Sequence, residues 1–378
     1  MPMFLTEDQA MLKDMAGPFL AEQAPVKHLR QLRDSNDATG FSRDLWKQFA
    51  EMGLTGVLVP AEDGGSGLGH VEAGIVLEEI GRNLSPSPFL SSAVAAVTAL
   101  KGADADMRGR YLPGIVAGDT VAAIAVDELR KHRPVETALR AERSGNGFRL
   151  TGGKQFVAHG HVADLVIVAA RTAGAAGEEQ GITLFAVDKG AAGLSVEGVR
   201  LADSSIAARM LFDGVAVDAG AVIGDVDGGW APLCRMLDAG RAGAAAEMLG
   251  VAGAAMDMTV DYLKQRKQFG RLIGEFQALQ HRAAHLYSEI EIARAATLKA
   301  QQLLDSNDAK ADLMVAVAKA KTGRAAMLAV QEGIQMHGGM GMTDEFDIGL
   351  YMKRQRVLEE LFGDSGFHAD RVARLNGY

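Results

Sequence analysis

The chain has 378 residues, is 48% hydrophobic, and carries 39 Lys+Arg against 48 Asp+Glu, a formal charge of −9. That apolar share supports a large buried core and excludes disorder, while 45 Gly with only 9 Pro excludes a collagenous or linker-like chain. The acidic balance argues against a nucleic acid partner, because backbone phosphates reward clustered Lys and Arg. One cysteine, Cys234, can form neither an internal disulfide nor a thiolate metal cluster, so a reducing, cytoplasmic location is expected. The opening stretch MPMFLTEDQAMLKDM has no basic region ahead of an apolar run, so no signal peptide is expected. No run approaches the roughly 18 apolar residues of a membrane span.

Residues 1–117 read as helices. Leu45, Phe49 and Met52 recur at helical spacing within Arg43–Met52, and Gly53 follows where a helix ends. A loop at Val59–Gly67 separates this helix from another over Val71–Arg82, and Ala/Val/Leu runs continue to Leu100. Over 118–225 the pattern changes to short β-branched runs bounded by Gly, Asp or Asn: Leu165–Ala170, Ile182–Val187 and Gly214–Val217. Their spacing leaves no room for crossover helices, which predicts an antiparallel sandwich or barrel. Over 226–378 the chain is helical again, rich in Ala, Met, Leu, Arg and Glu.

Three stretches in this helix–sheet–helix order resemble the acyl-CoA dehydrogenases. The first runs from Glu51-Met52-Gly53-Leu54 through Gly64-Gly65 to Glu78-Glu79-Ile80-Gly81-Arg82; the second is Tyr262–Gly270 continuing through Phe276–His281; the third is Gln335-Met336-His337-Gly338-Gly339-Met340-Gly341. The resemblance spans essentially the whole chain. It implies an α+β fold with an N-terminal α-helical domain, a middle antiparallel β domain and a C-terminal four-helix-type bundle.

Taken alone, a glycine-rich turn such as Gly338-Gly339 lets backbone approach a ligand or merely joins two helices. Arg266 can pair with a pyrophosphate and Phe269 can pack on an adenine. The resemblance implies that Arg266, Phe269, Gln277, Gln335, Gly338 and Gly339 hold the FAD of a neighbouring subunit, so flavin sites lie between chains. It also implies an acyl-CoA substrate, an electron-transfer flavoprotein or similar acceptor, and oxidation of the thioester to its α,β-enoyl form.

Two departures from the family stand out. Where its members carry Thr-Glu-Pro followed by Gly-Ser-Asp, this chain has Val126–Pro134. The next flavin-facing segment is Phe156-Val157-Ala158, in which Phe156 can lie against the flavin ring but Ala158 lacks the usual hydroxyl. The second departure is the base. Removing a thioester α-proton calls for a carboxylate in a dry site. The turn that usually carries it reads Phe362-Gly363-Asp364-Ser365, and the alternative seat before Arg241 is Gly240.

Glu247, two helical turns beyond Gly240, is one substitute, with a structural ion pair as its alternative role. Asp364 is another, with helix capping as its alternative. Arg241 is expected to place neighbouring groups. His281 and His285 are spaced i,i+4, but no HExxH pattern accompanies them, so no metal is expected. Met248, Met256 and Met258 read as core filler, with a pocket for a bulky apolar acyl group as the alternative.

The expected activity is therefore FAD-dependent acyl-CoA dehydrogenation, by a homo-oligomer or by one subunit of a heterotetramer with a related chain, as in steroid-CoA members of the family. The alternatives are a non-catalytic subunit that only donates flavin contacts, and oxidase or monooxygenase chemistry on the same fold.

Overall fold

The structure is a computed structural model and describes residues 3–378; the first two residues of the opening stretch lie outside the described part. Local signals set the first helices. Helix α1 (Glu7–Gln23) opens on a reciprocal cap between Thr6 and Gln9, and α2 (Val26–Asp34) follows directly. Helix α3 (Arg43–Glu51) is capped by Ser42 and buries the periodic face of Leu45 and Phe49 together with Trp46. The helix expected over 71–82 is α4 (His70–Asn83), whose first two amides donate to the Asp305 carboxylate. The apolar run to Leu100 forms a π-helical stretch, Phe89–Ala96, leading into α5 (Val97–Leu100); α6 (Ala105–Val116) follows, capped by Asp104.

Strands β1 (Ala122–Ala125), β2 (Arg140–Ser144), β3 (Gly147–Ala158), β4 (Leu165–Arg171), β5 (Ile182–Asp188), β6 (Leu194–Arg200), β7 (Ile206–Asp218) and β8 (Val222–Ile223) form one sheet. Their order is β6-β7-β3-β2-β4-β5-β8, with β1 also paired to β4. The two clearest apolar runs are the inner strands β4 and β5, buried almost throughout. Phe148 and Phe185 meet edge to face across the core at 5.1 Å.

Pairing between the strands is antiparallel except where β1 and β2 meet β4. There β1 runs parallel from Ala122↔Leu165 to Ala125↔Val168, and β2 adds one parallel pair, Arg140↔Arg171, so the sheet is mixed. The expectation of antiparallel pairing fails at this strand because a helix is not the only crossover. The β2–β3 hairpin occupies the chain between β1 and β4 and is long enough to bring it back in the same direction.

Helix α7 (Trp230–Gln265) leads into a short hairpin of β9 (Lys267–Gln268) and β10 (Arg271–Leu272), then α8 (Gln277–Asp305), α9 (Ala311–His337), α10 (Ile348–Glu360) and α11 (Ser365–Leu375). The chain packs as two units. One comprises the residues up to Asp34, His70–Pro86 and Arg241–Tyr378; the other comprises Ser35–Gly69 and Ser87–Gly240. The N-terminal helices thus divide, with α1, α2 and α4 joining the C-terminal bundle and α3, α5 and α6 joining the sheet. In the helical unit Met248 and Ala252 of α7, Leu286 and Ile290 of α8, Val330 of α9 and Leu358 of α10 share one core. Met256 and Met258 pack against its margin. Each fully buried leucine there contributes about 2 kcal/mol. No described helix is long and apolar enough to cross a membrane.

Candidate active site

Within the helical unit, the residues implied to contact flavin lie at or beside the ends of α7, α8 and α9. The chain leaves α7 at Gln265 and turns back in the β9–β10 hairpin, with Phe269 and Gly270 both at positive φ, 54° and 80°. Phe269 is 92% exposed, and Arg266, Gln277 and Gln335 are exposed too. Helix α9 ends where Gly338 adopts φ +60° and its N–H closes on the Gln335 carbonyl.

Gly338 needs to be glycine for its dihedral, but Gly339 does not. A Cβ at either position meets no atom of this chain within 4 Å. The bareness of Gly339 therefore serves no internal packing, and it fits close approach by a group from outside the chain. An exposed arginine, an exposed aromatic ring and bare, exposed glycine backbone fit a flavin nucleotide on this surface.

The sheet unit is arranged differently. Phe156 sits at φ +56° on a β3 irregularity and is 49% exposed, while Val157 is buried and Ala158 half-buried. Behind it, the stretch that replaces the family's Thr-Glu-Pro motif is closed by its own side chains. The Glu128 carboxylate accepts from Lys154 Nζ at 2.6 Å and from the Ala138 and Leu139 amides at 3.0 Å each. Lys154 Nζ also donates to the Val126 carbonyl, and Gln155 donates to the Glu128 carbonyl. Asp127 holds His132 Nδ1 at 2.8 Å. Lys154 is fully buried, which lowers its pKa against the opposing pull of Glu128. The acidic side chains of this segment are committed internally while Arg130, Lys131 and Arg133 stay exposed, and the segment carries none of the hydroxyls of the family's motif.

The Phe362–Gly363 turn, again in the helical unit, is held by buried cations. Lys319 Nζ donates to the carbonyls of Leu358, Glu359 and Gly363, each at 3.0 Å. Burial pushes its pKa down to about 8, with Glu359 opposing. Arg241 Nε and His368 Nε2 both donate to the Phe362 carbonyl, at 3.2 and 3.1 Å. The Arg241 guanidinium lies 5.6 Å from the centre of the Phe367 ring. Burial, reinforced by Arg241 and Lys319, drives the His368 pKa far down and keeps its ring neutral. Gly363 itself has φ +103°, and a Cβ there would lie 2.5 Å from the Phe367 ring.

The carboxylates near this turn have other work. Asp364 caps α11, accepting from the Phe367 amide at 2.8 Å. Glu359 accepts from the Ser365 amide at 2.8 Å. Glu247 on α7 is 2% exposed and accepts from Arg354 Nε at 2.7 Å and Nη2 at 2.5 Å.

Lys319, His368 and Glu359 are the residues that sequence reasoning missed. A lysine within Val315–Lys321, otherwise mostly alanine and valine, was the one available signal. Among the described residues no group of three or more His, Cys, Asp and Glu could hold a metal.

Three comparisons with known proteins bear on this arrangement. Family models for the acyl-CoA dehydrogenase N-terminal, middle and C-terminal domains match residues 6–119, 131–215 and 227–375. Mitochondrial isovaleryl-CoA dehydrogenase of Pongo abelii is 30% identical, covering 94% of this chain and 85% of its own. A chain of the ChsE4-ChsE5 complex from Mycobacterium tuberculosis has 26% identity and a TM-score of 0.90, with 100% of both chains covered. A variant of the Tcur3481-Tcur3483 steroid ACAD has 30% identity and a TM-score of 0.89, with 98% of both chains covered.

Proposed function

The chain belongs to the acyl-CoA dehydrogenase family, and on that premise we propose that it takes part in FAD-dependent α,β-dehydrogenation of an acyl-CoA as one subunit of an α2β2 heteromer, whose related chain supplies the base. The observation that carries this reading is the Phe362–Gly363 turn. Arg241, Lys319 and His368 fix its carbonyls, and it presents no side chain where relatives present a glutamate. Glu247 is an unsuitable replacement while Arg354 holds it, because its Oε1 already accepts from two guanidinium nitrogens and the residue is buried.

Dehydrogenation removes a proton from the α-carbon and a hydride from the β-carbon. Bound FAD supplies the hydride acceptor. In this reading Arg266 binds the pyrophosphate, Phe269 packs on the adenine, and Gln277, Gln335, Gly338 and Gly339 line the approach, all facing a flavin seated mainly on the partner. Arg241 is a positioning residue, since it reaches the turn rather than open space. A bulky acyl group is the proposed substrate class, on the likeness to a steroid ACAD, and an electron-transfer flavoprotein or similar carrier is the proposed acceptor. The lone cysteine supports a cytoplasmic location.

A homo-oligomer is the second reading, and the half-exposed Phe156 ring favours it as a platform for this chain's own flavin. Co-expression with a related subunit encoded beside it separates the two. The expected result is a co-purifying α2β2 species with two flavins that reduces an artificial electron acceptor with a steroid side-chain CoA thioester. The heteromer reading fails if this chain alone binds one flavin per subunit and turns over as fast as the mixture. Hydrogen peroxide released without an added acceptor points to oxidase chemistry instead.

A further inference from the structure

His337 is 2% exposed and precedes the open Gly338-Gly339 backbone. Its ring centroid lies 4.5 Å from that of Tyr262 and 4.6 Å from that of Phe346, while the outer two rings are 6.0 Å apart and nearly perpendicular. Nδ1 donates to the Gly333 carbonyl at 2.6 Å, one turn back along α9, which fixes the ring's rotation. Nε2 is buried as well, and the Met258 backbone also faces the ring. Burial lowers the imidazole pKa, so the ring is neutral and packs as an aromatic.

The three rings come from three places. Tyr262 is in the last turn of α7, and its carbonyl accepts the Arg266 amide at 2.9 Å. Phe346 stands just ahead of α10. The turn after His337 also folds back on it, since a Cβ at Gly341 would lie 2.7 Å from the Ile334 carbonyl and 3.1 Å from His337 Cβ. The hairpin bearing Arg266 and Phe269 and the turn bearing Gly338 and Gly339 therefore share one attachment, centred on the buried His337.

We infer that His337 is a positioning residue: packed against both Tyr262 and Phe346 in a triangle of rings, it holds the Gly338-Gly339 turn at a fixed place relative to the Arg266–Phe269 hairpin, so that both present one surface to the flavin. The reference to flavin rests on the proposed function; the mechanical coupling does not. A histidine whose role was only to fill the core would, when replaced, loosen its own surroundings without moving the two exposed segments together.

Hydrogen exchange on the full chain tests the coupling without cofactor. In His337→Ala, amide exchange is expected to rise about tenfold in both 266–272 and 338–343, while the interior of α8 is unchanged. His337→Phe, which keeps a ring in the stack, restores wild-type exchange. Phe346→Leu removes a flanking ring and serves if His337→Ala does not fold, with the same paired rise expected. In the co-purified complex, His337→Ala is expected to weaken FAD binding about tenfold, with recovery in His337→Phe. A rise confined to 338–343, or wild-type exchange in both segments, overturns the inference. Unaltered FAD affinity in His337→Ala overturns it as well. If the wild-type complex binds no flavin, the proposed function falls, and the exchange result still decides the role of His337.

Discussion

Glu247 holds a carboxylate that is almost fully shielded from water, and two nitrogens of Arg354 replace part of its hydration. Removing one member of such a pair leaves the other charge with the desolvation and without the attraction. The Arg354 side chain keeps 23% exposure, which moderates that penalty. Glu247→Gln is expected to destabilise the chain by about 2 kcal/mol, read as a lower midpoint in denaturant. Turnover by the assembled complex below its melting range should persist. A variant with wild-type stability and no enoyl-CoA formation would return Glu247 to the mechanism. The sequence exposes the anomaly, a lone glutamate among alanines, but not its answer, because Arg354 is more than a hundred residues away and nothing local links the two. His368 and Lys319 were illegible for a related reason. Their partners are backbone carbonyls, which every residue possesses, so no residue-type pattern marks them.

At the scale of elements, helix α10 ends without a glycine cap of its own, and Lys319 from α9 supplies the donors that its last carbonyls need. The charge is held at a cost: the folded chain binds the lysine proton less tightly than the unfolded chain, with a pKa near 8 against 10.5. Between those values the unfolded state retains a proton that the folded state has released, so stability rises with pH across that window. Below pH 8 both states hold the proton and the contribution is flat. Compared with Lys319→Met, the wild-type chain should gain about 1.4 kcal/mol per pH unit within the window, measured by denaturant unfolding at several pH values. Equal slopes for the two proteins would contradict this. Elements with continuous apolar character, such as β4, were legible because burial on both faces writes itself into composition. Strand β3 was not, since Gly152, Gly153 and a charged Lys154 interrupt it and its long pairing with β7 supplies the order. The direction of β1 is likewise set by pairing, not by its own residues.

For the whole molecule, the two halves of the expected flavin site have opposite characters within their own units. The helical unit leaves Arg266, Phe269, Gln335, Gly338 and Gly339 open, whereas the sheet unit ties the Asp127 and Glu128 carboxylates to His132, Lys154 and the Ala138 and Leu139 amides. The open half was legible because its glycines and basic-aromatic hairpin are contiguous motifs. The closure was not, because only the missing motif could be read, and an absent motif does not say what fills its place.

Gly363 bears on how such a chain changes by mutation. A glycine codon ending in A or G becomes a glutamate codon through one base change, so by the genetic code alone the family's usual base is one step away. The fold places it further away. Glutamate at 363 must adopt φ near +103° and push a Cβ into a ring 2.5 Å away, with His368 Nε2 at 3.0 Å behind it. The return route therefore needs Phe367 to shrink and the turn to change its dihedral together, and each step alone is a loss. Under the proposed dependence on a partner, the packing around this turn resists reversal by a single substitution.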